Sequence, residues 1–129
     1  MEIIHILPTT NTPEFIFNPD GSIIIRGRGF YNDKSEISDK IINWIEAYLK
    51  KPAEVTKVTL AFEYLNSFST TILVSILRNL KRVVLHSKRL EVQWYYEEDD
   101  EDIFERGQFI SETFEIPIEF ITTDDITLH

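Results

Sequence analysis

The sequence predicts an α/β fold, in the looser α+β sense: a mixed β-sheet packed against about three helices, in a single domain over residues 1–129. Three observations predict it. Strand-like apolar runs alternate with stretches of helical spacing, and helices between strands favour crossover connections with parallel pairing. A hairpin signature near the start adds antiparallel edges. The length of 129 residues suits one domain whose core needs no disulfide staples.

Each element has its own signal. Ile3 to Leu7 is a short apolar run read as a first strand, and Pro8-Thr9-Thr10-Asn11-Thr12-Pro13 is turn chemistry. Glu14-Phe15-Ile16-Phe17 and Ser22-Ile23-Ile24-Ile25-Arg26 flank Asn18-Pro19-Asp20-Gly21, a hairpin pattern in which Pro presets φ and Gly tolerates φ > 0. Gly27 and Gly29 close the second of these strands. The spacing of Ile37, Ile41, Ile42, Trp44, Ile45, Tyr48 and Leu49 predicts a helix from Asp33 to Lys51, stopped by Pro52. Val55 to Leu65 alternates as a strand, with Val58, Leu60, Phe62 and Tyr64 on one side. A second helix is expected from about Ser69 to His86, with Leu73, Ile76, Leu77, Leu80 and Val84 as its inner stripe. Arg89 to Tyr96 reads as a strand. A third helix carries Ile103, Phe104, Phe109, Ile110 and Phe114, and Ile118 to Ile121 reads as a closing strand.

Composition removes several functions. Twenty-two acidic and 13 basic residues leave a formal charge of −9. That balance disfavours nucleic acid and anionic membranes as partners, since both call for a basic surface. With no cysteine, disulfides, zinc–thiolate sites, iron–sulfur clusters and thiol catalysis are excluded. The start shows no basic, apolar signal segment, and no apolar run approaches membrane-span length, so a cytoplasmic protein is expected.

The chemistry concentrates after the long strand. Asn66, Ser67 and Ser69 stand at a helix entry, where each could cap a free backbone N–H. The same place suits a phosphate: free N–H groups and the helix dipole would stabilise a phosphoryl group on Ser67 or Ser69 by roughly 0.3–2 kcal/mol. Spacing alone does not separate the two serines, nor a capping role from an acceptor role. No charged residue occurs from Ser67 to Leu77. Thr71, Val74 and Ser75 are expected to face outward with Arg78, as small side chains that cost little to desolvate in a docking surface. The competing reading wedges this helix between the sheet and a neighbouring helix.

An enzyme is not expected, and no cofactor motif is read. The three histidines are His5, His86 and His129; no Gly-x-Ser-x-Gly elbow surrounds Ser67 or Ser69; and Gly27-Arg28-Gly29 lacks the ending of a phosphate-binding loop. The run Glu97-Glu98-Asp99-Asp100-Glu101-Asp102 lacks the alternation, Gly and terminal Glu of a calcium loop. It reads as a solvated loop that starts the third helix, with steering of a basic partner as a second role.

Tyr64-Leu65-Asn66-Ser67-Phe68-Ser69 resembles the Tyr-x-Asn-Ser/Thr-Ser-Ser segment of the SiaC family of bacterial biofilm-regulating phosphoproteins. The resemblance extends along most of the chain. It includes Thr12-Pro13 and a hairpin ending near Ile25-Arg26-Gly27-Arg28. It continues through Trp44-Ile45-Glu46-Ala47-Tyr48-Leu49, Val92-Gln93-Trp94-Tyr95-Tyr96, the acidic run, Gly107 and Phe109. It implies a non-enzymatic switch with a fold similar to the STAS-type anti-sigma-factor antagonists. By position, Ser67 would be phosphorylated by a Ser/Thr protein kinase and dephosphorylated by a PP2C-type phosphatase. The unphosphorylated form would bind and activate a diguanylate cyclase. Asn66, Ser67, Phe68, Ser69, Thr71, Val74, Ser75 and Arg78 would then form the partner surface.

The sequence departs from the family pattern in three places. Phe68 stands where the family usually has Ser, Thr71 where it often has Lys, and Gly29-Phe30-Tyr31-Asn32 replaces a Ser-Tyr-Pro-Glu-like stretch. A phosphate on Ser67 therefore lacks the nearby Lys, and Arg78 lies about 16 Å farther along the helix. Three alternatives stay open: an effector other than the cyclase, an interaction module or homodimer that needs no phosphorylation, and a divalent-metal protein using the acidic run.

Overall fold

The computed structural model describes residues 1–32 and 36–129. These form strands β1 (Ile4–Ile6), β2 (Glu14–Phe17), β3 (Ser22–Gly29), β4 (Val55–Leu65), β5 (Arg89–Glu97) and β6 (Ile118–Thr123). The helices are α1 (Glu36–Tyr48), α2 (Ser67–Leu80) and α3 (Glu101–Phe114), with 3₁₀ turns over Lys81–His86 and Ile126–Leu128. The expected start of the first helix, Asp33 to Ser35, lies outside the described residues.

Asn18 to Gly21 make the predicted hairpin. Gly21 donates to the Asn18 carbonyl at 3.0 Å and adopts φ +100°, a conformation that favours glycine. A Cβ there would also stand 2.3 Å from the Val55 carbonyl. The hairpin makes β2–β3 antiparallel, and β1–β2 is antiparallel too, whereas β3–β4, β4–β5 and β5–β6 are parallel. The sheet order is β1-β2-β3-β4-β5-β6, so each parallel pair is bridged by one helix.

Register places two apolar rows on one face: Ile4, Phe17, Ile23, Val58, Val92 and Ile118, then Ile6, Phe15, Ile25, Leu60, Trp94 and Phe120. Ile41 and Ile45 of α1, Leu73 and Ile76 of α2, and Ile103 and Ile110 of α3 join this core, so all three helices cover that face. On the other face, Ile126 is buried and the His129 ring stacks on Tyr95 with centroids 4.3 Å apart.

Several boundaries differ from the sequence reading for local reasons. α1 ends at Tyr48, and Lys51 N–H donates to the Tyr48 carbonyl at 3.1 Å in a tighter last turn before Pro52. β4 loses its alternation because the register with β3 shifts after Gly27, so Tyr64 points out and Leu65 points in. α2 begins at Ser67 rather than Ser69 and gives way to the 3₁₀ turn at Lys81. That tighter winding buries Val83 and exposes Val84, which therefore does not belong to the inner stripe. Phe109, one of the apolar residues that the third helix carries, is exposed and meets Phe114 edge-on at 6.3 Å. Asp100 caps α3, accepting from the Ile103 N–H at 3.2 Å, and Glu101 and Asp102 occupy its first turn. Among the described residues, no group of three or more His, Cys, Asp or Glu side chains is placed to hold a metal ion.

Candidate functional site

β4 delivers the chain to the carboxyl edge of the parallel strands, where Leu65 is anchored in the core and Asn66 turns the chain into α2. Asn66 is extended (φ −77°, ψ 173°), and its Oδ1 accepts from the Ser69 N–H at 2.8 Å. Its Nδ2 donates to the Tyr31 carbonyl at 2.9 Å, and its own N–H donates to the Gly29 carbonyl at 2.9 Å. One side chain thus caps α2 and ties it to the segment leaving β3.

The two serines are separated by their surroundings. Ser69 is 3% exposed, and its Oγ accepts from the Tyr31 N–H at 2.9 Å. The expectation that Ser69 lies on the partner surface is therefore corrected: it faces the core side of the helix, where it satisfies a buried donor. Ser67, the first residue of α2, is exposed. Phe68 beside it is also exposed.

Val74 is likewise corrected. It is 8% exposed, because it falls on the flank of α2 buried with Thr70 and Leu77. Thr71, Ser75 and Arg78 do face outward. With Val74 in its floor, this face lines an open groove together with Asn79, Arg82 and Phe114. The Arg78 guanidinium lies 5.7 Å from the Phe114 ring centre. Arg82 donates to Glu46 Oε1 at 2.5 Å and to Asn79 Oδ1 at 3.2 Å.

Residues distant in sequence complete the surroundings. The Phe30 and Tyr64 rings stack at 4.4 Å and 14°, and the Arg28 guanidinium sits 5.0 Å over Phe30. Arg106 of α3 donates from Nη1 to Thr70 Oγ1 at 3.1 Å, while Thr70 Oγ1 donates to the Asn66 carbonyl at 2.8 Å. Tyr31 is 7% exposed, and its hydroxyl finds no partner among the described residues. It lines a cavity of about 10 Å³ with Phe15, Phe62, Ser69 and Leu73, and burial pushes its pKa up to about 12. None of these contacts has a sequence signal: Arg106 and Thr70 are 36 residues apart, and no spacing rule joins them.

The SiaC family, described as regulatory phosphoproteins, matches residues 6–123. The chain belongs to the SiaC family. A relative in Pseudomonas aeruginosa strain UCBPP-PA14, itself uncharacterized, is 22% identical over 126 residues, 97% of this chain and 100% of the relative. The apo structure of SiaC from Pseudomonas aeruginosa is similar with a TM-score of 0.80 at 22% identity, over 93% of this chain and 98% of that one. SiaC in a crystal structure of the diguanylate cyclase SiaD with its activator SiaC, also from Pseudomonas aeruginosa, is similar with a TM-score of 0.81. There the identity is 21%, over 93% of this chain and 99% of that one. The mixed sheet with three helices is thus a SiaC fold, and the SiaC family is one of regulatory proteins in signalling. Among the described residues, no helix is long and apolar enough to cross a membrane.

Proposed function

We propose that this chain is a single-domain, non-enzymatic partner switch of the cytoplasm whose state is written on Ser67. With Ser67 as a free hydroxyl, the face formed by Asn66, Ser67, Phe68, Thr71, Ser75 and Arg78 docks and activates a diguanylate cyclase. A Ser/Thr protein kinase transfers the γ-phosphoryl of ATP to Ser67 Oγ. The new O–P bond replaces the bond to ADP, and the hydroxyl proton passes to a base of the kinase. A PP2C-type phosphatase hydrolyses that ester and restores the docking form.

One observation carries this reading: Ser67 is exposed at the first position of α2 while its neighbours Asn66 and Ser69 are tied into the fold. The acceptor can therefore change charge without disturbing the scaffold. The cyclase–activator complex of the similar Pseudomonas aeruginosa protein supports the choice of partner. Phosphorylation adds about −1.5 to −2 charge to the docking face. Burying that charge without a matching cation costs several kcal/mol, and 1.4 kcal/mol already means tenfold in affinity.

The test measures binding and turnover of the host's diguanylate cyclase with wild type, Ser67→Ala and Ser67→Asp, alongside intact mass of the protein from its native host. Wild type and Ser67→Ala should bind and activate alike, Ser67→Asp should bind at least tenfold more weakly, and the native protein should carry phosphate at Ser67. Equal binding by all three forms would overturn the switch.

A further inference from the structure

Thr71 occupies the position where a lysine would lie one turn from Ser67, and the nearest cation on the helix's own exposed face, Arg78, is about 16 Å along the axis. The structure brings a cation from elsewhere. Arg106 reaches over from α3 and donates to Thr70 Oγ1 at 3.1 Å. Thr70 is three residues after Ser67, and side chains so spaced on a helix are neighbours, with Cβ atoms about 5–6 Å apart. The guanidinium therefore rests on a residue one helical turn from Ser67, on the flank that α2 turns toward α3.

The state of this guanidinium matters as much as its place. Three acidic residues of the same helix, Glu101, Asp102 and Glu105, lie nearby in sequence. Yet among the described residues no carboxylate comes within ion-pair distance of Arg106. It is half-buried, which weakens the screening of its charge by water. A neutral hydroxyl takes one of its five N–H donors. Bonds from Arg to an anion are roughly twice as strong as bonds to neutral acceptors, and they are often bidentate.

We propose that Arg106 receives the phosphoryl group of phosphorylated Ser67, leaving Thr70 to do so and exchanging a neutral link between α3 and the first turn of α2 for an ionic one in the modified protein. This rests on Ser67 being the acceptor. In the unmodified chain Thr70 holds Arg106 at the ready. In the modified chain the dianion outcompetes the hydroxyl, and Arg106 takes the role that a lysine at position 71 would otherwise fill.

The test installs phosphoserine at position 67 by stop-codon suppression, so that no kinase is involved, and follows the second ionisation of the phosphate by ³¹P NMR. An ordinary phosphoserine titrates near pH ~6. In the wild-type background the midpoint should fall by about one pH unit, as expected for an anion beside a guanidinium. Arg106→Gln should move it back up by most of that amount, and Arg106→Lys should retain part of the shift. Arg28→Gln, on the β3 side, should leave it unchanged. The start of α2 acts equally in all these variants and cancels in the comparison. Identical midpoints for wild type and for both Arg106 variants overturn the proposal, as does a shift caused by Arg28→Gln and not by Arg106→Gln. Thermal melts of the unphosphorylated variants establish folding, and Arg106→Lys serves if Arg106→Gln does not fold. A native protein without phosphate, or equal cyclase binding by all Ser67 forms, would count against the switch and leave this contact standing.

Discussion

The Oγ of Ser69 accepts the backbone N–H of Tyr31 at 2.9 Å, across 38 residues of chain. One serine of the Asn66–Ser69 segment thus holds the fold together, while the other is free to meet solvent. Ser69→Ala leaves a buried N–H without a partner and should cost about 1–3 kcal/mol. Ser67→Ala removes only an exposed hydroxyl and should stay within about 0.5 kcal/mol of wild type. Urea unfolding midpoints of the two variants, compared at equal m-values, check the contrast.

The hydroxyl of Tyr31 has no partner among the described residues, and burial raises its pKa to about 12 from an ordinary 10. The folded state therefore keeps this proton where the unfolded state has lost it. Stability from this group is complete below pH ~10 and is lost as pH rises from there through about 12. Tyr31→Phe should be neutral or slightly stabilising at pH 7, since it deletes an unsatisfied polar group, and should flatten the alkaline loss. Denaturant melts between pH 8 and pH 12 would show both effects.

Glu14 accepts from His5 Nε2 and from Arg26 Nε, each at 2.7 Å, and these bonds hold its carboxyl below the usual range, His5 first and Arg26 second. A lowered pKa means stability that is present above about pH 4.5 and lost as pH falls through the folded value. Because His5 lies in β1, the bond also fastens that strand to β2. Glu14→Gln should cost about 1 kcal/mol at neutral pH and remove part of the acid-induced loss. Melts from pH 7 to pH 3 give the comparison.

Gly107 sits where α3 crosses the sheet. A Cβ there would lie 2.7 Å from Phe120 Cε1 and 2.8 Å from Trp94 Cε2. Neither ring can retreat cheaply, because Trp94 is fully buried and Phe120 packs against Phe104 at 5.1 Å. Gly107→Ala should cost about 1–3 kcal/mol despite the gain in helix propensity, lowering Tm by several degrees. Differential scanning calorimetry measures it.

Much of this architecture was legible because strong local signals agreed with the tertiary outcome. Asn18 to Gly21 announced a hairpin through turn chemistry, and the spacing from Ile37 to Leu49 announced a helix through burial of one stripe. Where reading failed, a non-local event had intervened. Tyr64 turns outward because a register shift against β3 breaks the period of two that the residues from Val58 to Phe62 suggest. Val84 came to the surface because the chain tightened into a 3₁₀ turn after Leu80. Val74 is set off the inner stripe, but the buried arc of α2 extends to the flank it shares with Thr70 and Leu77, wider than one helix's spacing can reveal. Within the candidate site, the segment from Asn66 to Arg78 was visible. Tyr31, Phe30, Arg28 and Arg106 were not, since their roles exist only once β3, β4 and α3 are assembled around it.

The sheet runs in chain order from β1 to β6, so no strand is threaded between two others already paired. Assembly can proceed by accretion, each connection laying the next strand beside the last, and dismantling can begin at either edge. The three-residue β1 is the first to peel. Its amides should surrender deuterium early in hydrogen exchange, while those near Leu60 and Trp94 in the middle of the ladder hold out until the whole molecule opens.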